Sequence, residues 1–168
     1  VTEFDSFKHG GIPLIGDAKA ILDVMDNELS DYKVSGEYGK RVEKFNKSWD
    51  DFVSEVYSEK NETPAFQGEV IGAVNIFSDP RDIMICAAGS LPGDLHKLWR
   101  TRDPKGFHLE YGYSCMGYEI AGGLGAKMAR PESEIYVMVE DGSYLMMSQE
   151  IVTCIQERQK LTIILLNN

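Results

Sequence analysis

Hydrophobic residues in the second part of the chain fall into short continuous runs separated by helix-like segments. Three runs are apolar, apart from Thr162, and have the length of a strand: 83–87, 135–139 and 161–166. Between them the spacing of apolar residues predicts four helices: 66–77, 94–99, a small-residue helix ending near Ala129, and 143–158. Strands without polar positions that alternate with helices are typical of a parallel sheet covered on both faces. The predicted fold class is therefore α/β.

Residues 1–32 predict one strand and one helix. A short apolar segment at 12–15 has the character of a strand, and Asp17 is placed to cap the helix that follows. Four apolar residues of that helix recur at helical spacing: Ile21, Leu22, Met25 and Leu29. Because one strand and one helix cannot close a core, we interpret this stretch as the C-terminal tail of a central α/β domain.

Residues 33–62 are rich in charged and polar side chains with isolated aromatic residues among them. The aromatic spacing of four, three and five positions predicts an amphipathic helix with these members: Phe45, Trp49, Phe52 and Tyr57. We interpret this stretch as a helical linker whose charges form a solvated face, and an acidic docking patch is the alternative. The remaining region, 63–168, is predicted to be a ligand-binding domain truncated at its C-terminus.

The composition mainly excludes partners. Against 17 Lys and Arg the chain has 27 Asp and Glu, a formal net charge of −10, so neither nucleic acid nor an anionic membrane surface is expected as a partner. No apolar stretch approaches the roughly 20 residues that span a bilayer, and no signal peptide is recognisable. Three scattered cysteines without a CxxC pair predict a reduced cytoplasmic protein.

The last predicted strand, helix and strand form a βαβ unit with polar residues after each strand. Asp141 follows the first strand and an Asn pair, Asn167 and Asn168, follows the second, so both are expected at the carboxyl edge of the sheet, where open α/β sheets bind ligands. Gly142 allows a tight turn, and a helix starting near Ser143 directs free N–H groups to the same place. Carboxylate and amide oxygens suit Mg²⁺, which predicts a metal-bridged diphosphate. The alternative is an ordinary Asp-Gly turn and an exposed Asn-Asn terminus.

Asp-Gly-Ser at 141–143, with Asn-Asn ending 27 positions after Asp141, resembles the cofactor motif of the thiamine diphosphate-dependent superfamily that includes pyruvate decarboxylase and acetolactate synthase. The resemblance implies that Asp141 and Asn168 bind Mg²⁺, with a third ligand beyond the end of this chain. It also implies that Gly142 and Ser143 contact the cofactor. The superfamily usually has Gly where this chain has Glu140, and the sequence leaves the direction of that carboxylate open.

Two further segments are similar to cofactor loops of the superfamily. Residues 87–99 occupy the place of the first loop, which suggests Gly89, Ser90 and Leu91 as contacts of the diphosphate or pyrimidine. Residues 111–119 resemble the segment that places a bulky side chain under the cofactor, a role that falls on Met116, while the Ser114 carbonyl would receive the pyrimidine amine. For Met116 the alternative is an ordinary core methionine.

Residues 87–99 and 111–119, together with 8–18, are most similar to superfamily members that hydrolyse a C–C bond of a cyclic 1,2-diketone in myo-inositol catabolism. The resemblance implies that this chain is a fragment, as its start without Met and its end in an apolar run also suggest, and that its parent is at least a dimer. The activating glutamate is expected from a missing domain, so no catalytic residue is predicted in the fragment, which is expected to be inactive alone.

Other functions stay open at this point. An acetolactate synthase-like carboligase or decarboxylase would use the same motif, although its usual loop signatures differ from the ones here. A nucleotide-binding α/β module without thiamine chemistry lacks support, because no GxGxxG or P-loop motif is present. A non-enzymatic assembly module remains possible through the aromatic linker. His96 and His108 are candidates for a substrate role, and Cys115 is expected to be inert.

Overall fold

The computed structural model describes residues 3–60 and 63–167. The chain divides into two compact units, one ending at Lys47 and one beginning at Ser48. Within the described residues the helices and strands are α1 Glu3–Lys8, α2 Ala18–Glu28, α3 Gly36–Ser58, α4 Gln67–Phe77, β1 Ile83–Cys86, α5 Leu91–Leu98, β2 Phe107–Leu109, α6 Tyr118–Ala129, β3 Ile135–Glu140, α7 Asp141–Met146, α8 Glu150–Gln156 and β4 Thr162–Leu166. None of the helices described is long and apolar enough to cross a membrane.

The first unit contains the predicted helix but not the predicted strand. Asp17 caps α2, because its Oδ1 accepts the N–H of Ala20 at 3.0 Å. Residues 12–15 form no strand, and the side chain of Ile12 is 89% exposed. The expectation of a strand was wrong because a strand needs a hydrogen-bonded neighbour, and no described segment pairs with this one.

The linker stretch is helical, as the aromatic spacing predicted, but its buried face is a different one. Val53 and Val56 of α3 are buried, whereas the predicted aromatic face lies largely in solvent, with Trp49 46% exposed. Tyr57 is half-buried, and its hydroxyl donates a hydrogen bond to the Leu98 carbonyl at 2.6 Å. Short β-branched side chains thus make the close contact of α3 within the second unit. The domain boundaries expected at 32 and 62 remain predictions.

Four parallel strands form the sheet of the second unit, in the order β2-β1-β3-β4. This confirms the predicted α/β fold class with a parallel sheet. β3 and β4 are neighbours and pair from Tyr136 with Thr162 to Glu140 with Leu166, so the predicted βαβ unit is present. β2 was not predicted, because it has only three residues and its central residue, His108, is exposed.

Helices cover the sheet on both faces because alternate side chains of β1 and β3 point in opposite directions. Met84, Cys86 and Met138 pack on one face with residues of α3, α4 and α5. On the other face the β1 and β3 side chains pack with α6, α7 and α8, as the following buried residues do: Ile83, Ile85, Ile120, Ile135, Val137 and Val139. The result is a three-layer arrangement around a sheet buried on both sides.

The helix predicted over 143–158 is two helices, α7 and α8. The turn between them is closed by hydrogen bonds to the third preceding residue, such as the N–H of Glu150 to the Met147 carbonyl at 3.1 Å. An unbroken helix over 143–158 would bury one stripe, made of Tyr144, Met147, Ile151 and Ile155 with Val152 beside it. Because the helix is broken, Val152 and Ile155 are exposed instead. Tyr144 and Ile151 do pack against the sheet. α7 also begins two residues earlier than predicted, at Asp141.

Candidate functional site

The carboxyl ends of β1, β3 and β4 lie at one edge of the sheet, and the predicted cofactor residues follow them. Glu140 is paired with Leu166, so Asp141 and Asn167 come directly after neighbouring strand ends. Residues 89–91 follow β1, the other neighbour of β3. The described members of the predicted site are thus brought to the same edge, although their roles stay predictions. Asn168, the second predicted metal ligand, lies outside the described residues.

Asp141 presents an exposed carboxylate at this edge. Its Oδ1 accepts the N–H of the next residue, Gly142, at 2.8 Å, within the first turn of α7. In the described part of the chain no three His, Cys, Asp or Glu side chains gather to hold a metal. Mg²⁺ takes few protein ligands and completes its octahedron with phosphate and water oxygens, so a single exposed carboxylate beside a turn suits it.

Ser143 is buried and belongs to a polar network that the sequence did not reveal. Its hydroxyl donates to Oε2 of Glu119 at 2.7 Å and accepts the N–H of Gly117 at 2.7 Å. Oε1 of Glu119, a residue only 1% exposed, accepts the N–H of Ala88 at 3.1 Å. The network joins the end of β1 and the starts of α6 and α7. The Ser143 hydroxyl therefore joins these three segments of the site.

A signal for Glu119 was present in the sequence. It is the sole acidic residue of the small-residue segment 118–129, and a carboxylate in a segment expected to pack tightly needs buried donors. Its negative charge, together with burial, also acts on Cys86. Burial first and the Glu119 carboxylate second raise the pKa of the Cys86 thiol to about 12, so this thiol stays protonated at neutral pH.

Met116 lies beside the Asp-Gly turn. Its side chain is 47% exposed, and its Cε is 3.4 Å from the position that a Cβ on Gly142 would take. Met116 is therefore outside the hydrophobic core of the described residues, and its role stays a prediction. A partly exposed apolar side chain next to the predicted diphosphate turn is where the resemblance expects the support under the cofactor.

The segment before Met116 is braced by Glu110. Its carboxylate accepts the N–H of Cys115 at 2.8 Å and of Tyr113 at 3.1 Å, and these hydrogen bonds, that of Cys115 first, lower the pKa of Glu110. Ser114 between them has a φ of 51°, in the left-handed region that a residue with a Cβ seldom adopts. The hydrogen bonds of Glu110 thus hold the backbone on both sides of Ser114, the residue whose carbonyl the resemblance assigns to the cofactor.

The turn after β1 is in contact with Glu140. Oε1 of Glu140 accepts the hydroxyl of Ser90 and the N–H of Leu91, both at 2.7 Å. Gly89 has a φ of 98°, and a Cβ at this position would collide with the Glu140 carboxylate. The Leu91 side chain is buried in the core at the start of α5, so a ligand contact of this residue could use only its backbone, whose N–H is bonded to Glu140 here. The direction of Glu140 that the sequence left open is towards this turn.

The two histidines make other contacts. Nε2 of His108 lies 2.7 Å from the Tyr118 hydroxyl, and the two rings stack at 5.7 Å between centroids. His96 stacks on Phe107 at 6.4 Å. Each ring therefore has an aromatic neighbour within the fold, and a substrate role for either histidine stays a prediction.

Taken together, the residues at this edge fit a Mg²⁺-bound diphosphate, apart from Glu140. Asp141 supplies an exposed hard oxygen ligand, Gly142 has no side chain to obstruct the turn, and Met116 lies next to Gly142. The departure is that the Leu91 N–H, one of the donors that an anion would use, is bonded to the Glu140 carboxylate.

Comparison with known proteins gives a family for this arrangement. Residues 87–168 match the model of the thiamine pyrophosphate enzyme C-terminal TPP binding domain. The whole chain is 38% identical to a 3D-(3,5/4)-trihydroxycyclohexane-1,2-dione hydrolase of Bacillus anthracis and 41% identical to a protein of that name in Geobacillus thermodenitrificans. The chain spans about 30% of the length of these relatives. Residues 87–168 are therefore a TPP-binding domain of the thiamine pyrophosphate enzyme family, and the chain is part of such a protein.

Proposed function

We propose that the protein containing this chain is a Mg²⁺- and thiamine diphosphate-dependent hydrolase. Its substrate would be 3D-(3,5/4)-trihydroxycyclohexane-1,2-dione, and hydrolysis of one C–C bond would open the ring to 5-deoxy-glucuronic acid in myo-inositol catabolism. Support comes from the relatives that bear this activity in their names and are similar over the whole chain. The observation that carries the proposal is the convergence of Asp141, Gly142 and Met116 with the turn after β1 at one sheet edge.

The work assigned to this chain is binding and orientation. Thiamine diphosphate supplies the carbon nucleophile and electron sink that C–C cleavage requires. Asp141 would hold Mg²⁺, and the backbone of Gly142 and Ser143 would face the diphosphate. Glu119 and the Ser143 hydroxyl keep that turn in place. Met116 would contact the cofactor rings, since its exposed side chain lies over the same turn.

The remaining parts of the site belong to the rest of the protein. Under this proposal a glutamate from another domain, across a subunit interface, activates the cofactor, so the parent is at least a dimer and the 168 residues alone are inactive. Asn168 would complete the metal site together with a carbonyl beyond it. A small cyclic diketone is the proposed partner, in a cytoplasmic setting, with neither nucleic acid nor membrane involved.

Substitution of Asp141 by Asn in the full-length protein tests the metal assignment. An amide is a weaker ligand for Mg²⁺ than a carboxylate, and loss of residues that merely support a metal ligand costs about 10–100-fold, so we expect affinity for thiamine diphosphate in Mg²⁺ to fall by about 100-fold or more. Calorimetric titration measures this affinity, and unchanged circular dichroism checks the fold. The matched control is Asp26→Asn, an exposed aspartate of α2, which should bind as the wild type does.

Two results would contradict the proposal. Equal cofactor affinity of Asp141→Asn and wild type would remove Asp141 from the metal site. Turnover of pyruvate, but not of the cyclic diketone, by the wild-type protein would instead place it with the carboligases and decarboxylases. Release of a single ring-opened acid from the diketone is the expected result.

A further inference from the structure

We propose that Glu140 is an internal anion that occupies the donors of the β1–α5 turn, so that the cofactor diphosphate must displace it to bind. The proposal rests on the function proposed above and goes beyond it, because it assigns Glu140 a negative effect on cofactor affinity. Glu140 stands where the superfamily usually has Gly, a residue without any side chain to compete.

Contacts of the carboxylate are the first support. A single oxygen, Oε1, accepts both the Ser90 hydroxyl and the Leu91 N–H at 2.7 Å, distances typical of strong charge-assisted hydrogen bonds. These donors belong to two of the three residues of this turn that the resemblance assigns to the cofactor. The third, Gly89, lies directly against the same carboxylate, since a Cβ there would collide with it. Glu140 therefore fills the notch that this glycine creates.

The N-terminal end of α5 offers little else to an anion. Pro92 has no N–H, and the N–H groups of the two residues after it are directed to the Ser90 carbonyl, at 3.0 and 3.4 Å. The Leu91 N–H is thus the backbone donor of this first turn that points away from the helix, and Glu140 accepts it. A diphosphate oxygen that approached this end of α5 would meet a carboxylate before it met a donor.

The charge balance makes this competition costly. Glu140 is followed directly by Asp141, and residues 63–168 contain more acidic than basic side chains. Mg²⁺ bound to Asp141 would neutralise the Asp141 carboxylate. The Glu140 carboxylate would keep its charge, because its Oε1 is bonded to Ser90 and Leu91 of the β1–α5 turn. Two anions that compete for the same donors cannot both be satisfied, and like charges brought together in this way reduce affinity strongly.

The test is calorimetric binding of thiamine diphosphate in Mg²⁺ to the full-length protein, with Mg²⁺ pyrophosphate as a second probe. The variants are Glu140→Gln, which keeps an acceptor for the Leu91 N–H but no charge, and Glu140→Ala, which removes both. We expect each variant to bind both probes about ten-fold more tightly or better than wild type. Glu157→Gln, an exposed glutamate after α8, is the control for loss of one charge and should match wild type.

Equal or weaker binding by Glu140→Gln would overturn the proposal, because Glu140 would then support the turn in the form the cofactor needs. A gain shared equally by Glu157→Gln would overturn it as well, since the effect would be one of net charge. Absence of binding to the wild type and to every variant would refute the proposed cofactor function itself. Binding by wild type without a gain in the variants would refute only the role of Glu140.

Discussion

Removal of the buried carboxylate of Glu119 is the sharpest test of how the site is held together. In Glu119→Ala the Ala88 N–H and the Ser143 hydroxyl lose their acceptor while they stay in the protein interior. Glu119→Gln is the matched variant of nearly the same size. Its amide oxygen can accept the Ala88 N–H while its NH2 group donates to Ser143 Oγ, but the Ser143 hydroxyl hydrogen then has no acceptor, because a donor has replaced the carboxylate oxygen that it faced.

The expected magnitudes follow from this count of donors. A hydrogen bond to a charged group contributes about 1.5–3 kcal/mol to stability, and a buried donor left without a partner costs about 1–3 kcal/mol. Glu119→Ala leaves two such donors and a cavity, so we expect the free energy of unfolding to fall by about 3–5 kcal/mol. Glu119→Gln leaves one donor without a partner, so the free energy of unfolding should fall by about 1–2 kcal/mol.

Urea unfolding of the 168-residue chain, followed by far-ultraviolet circular dichroism, measures both values. The double variant Glu119→Gln with Ser143→Ala provides the control, because the two effects should not add if the residues share one network. An unfolding free energy of Glu119→Ala within about 0.5 kcal/mol of wild type, the range of ordinary surface substitutions, would refute the reasoning. So would strict additivity in the double variant.

Two other predictions concern packing and thiol chemistry. A Cβ on Gly123 would lie 2.5 Å from Cγ2 of Val137, where α6 meets β3, so Gly123→Ala should lower the unfolding free energy by about 1–3 kcal/mol. A Cβ on Gly125, in the same helix, meets nothing within 4 Å, so Gly125→Ala should raise the unfolding free energy by about 0.5–1 kcal/mol. Equal effects of the two variants in urea unfolding would contradict this. At pH 8 iodoacetamide should label the exposed Cys115 and leave Cys86 unmodified, since a thiol with a pKa of about 12 is almost wholly protonated there. Peptide mass spectrometry of native and urea-unfolded protein measures both, and equal native labelling would be evidence against the buried, protonated state of Cys86.

Much of the fold follows from local patterns in the sequence. The runs at 83–87, 135–139 and 161–166 contain strands, as short apolar runs between helices predict, and the two central strands, β1 and β3, are largely buried. Asp17 caps its helix because a cap needs only the three residues after it. Strand length failed as a guide at 12–15, where the pattern was present but no pairing strand was.

Part of the candidate site was likewise predictable from the sequence, and part was not. Chain order and the right-handed crossover were sufficient to predict that Asp141 and Asn167 follow neighbouring strands at one sheet edge, because parallel neighbours end on the same side. The turn after β1 was assigned to the site only by the resemblance, and it lies at the same edge. The exposed side chain of Met116 and the break between α7 and α8 depend on what each side chain meets in space, which spacing along the chain does not encode.

The sequence alone thus determined the α/β class and the cofactor family, and it predicted the edge of the sheet for the site, since each depends on residues close together in the chain or on strand order. Tertiary structure alone decided what the carboxylates do. Glu119 bonds across 24 and 31 positions, and Glu140 across 49 and 50, to donors that no local pattern connects to them. A buried or competing charge acts through whichever donors the completed fold brings within about 3 Å, and those partners exist only after the strands have paired.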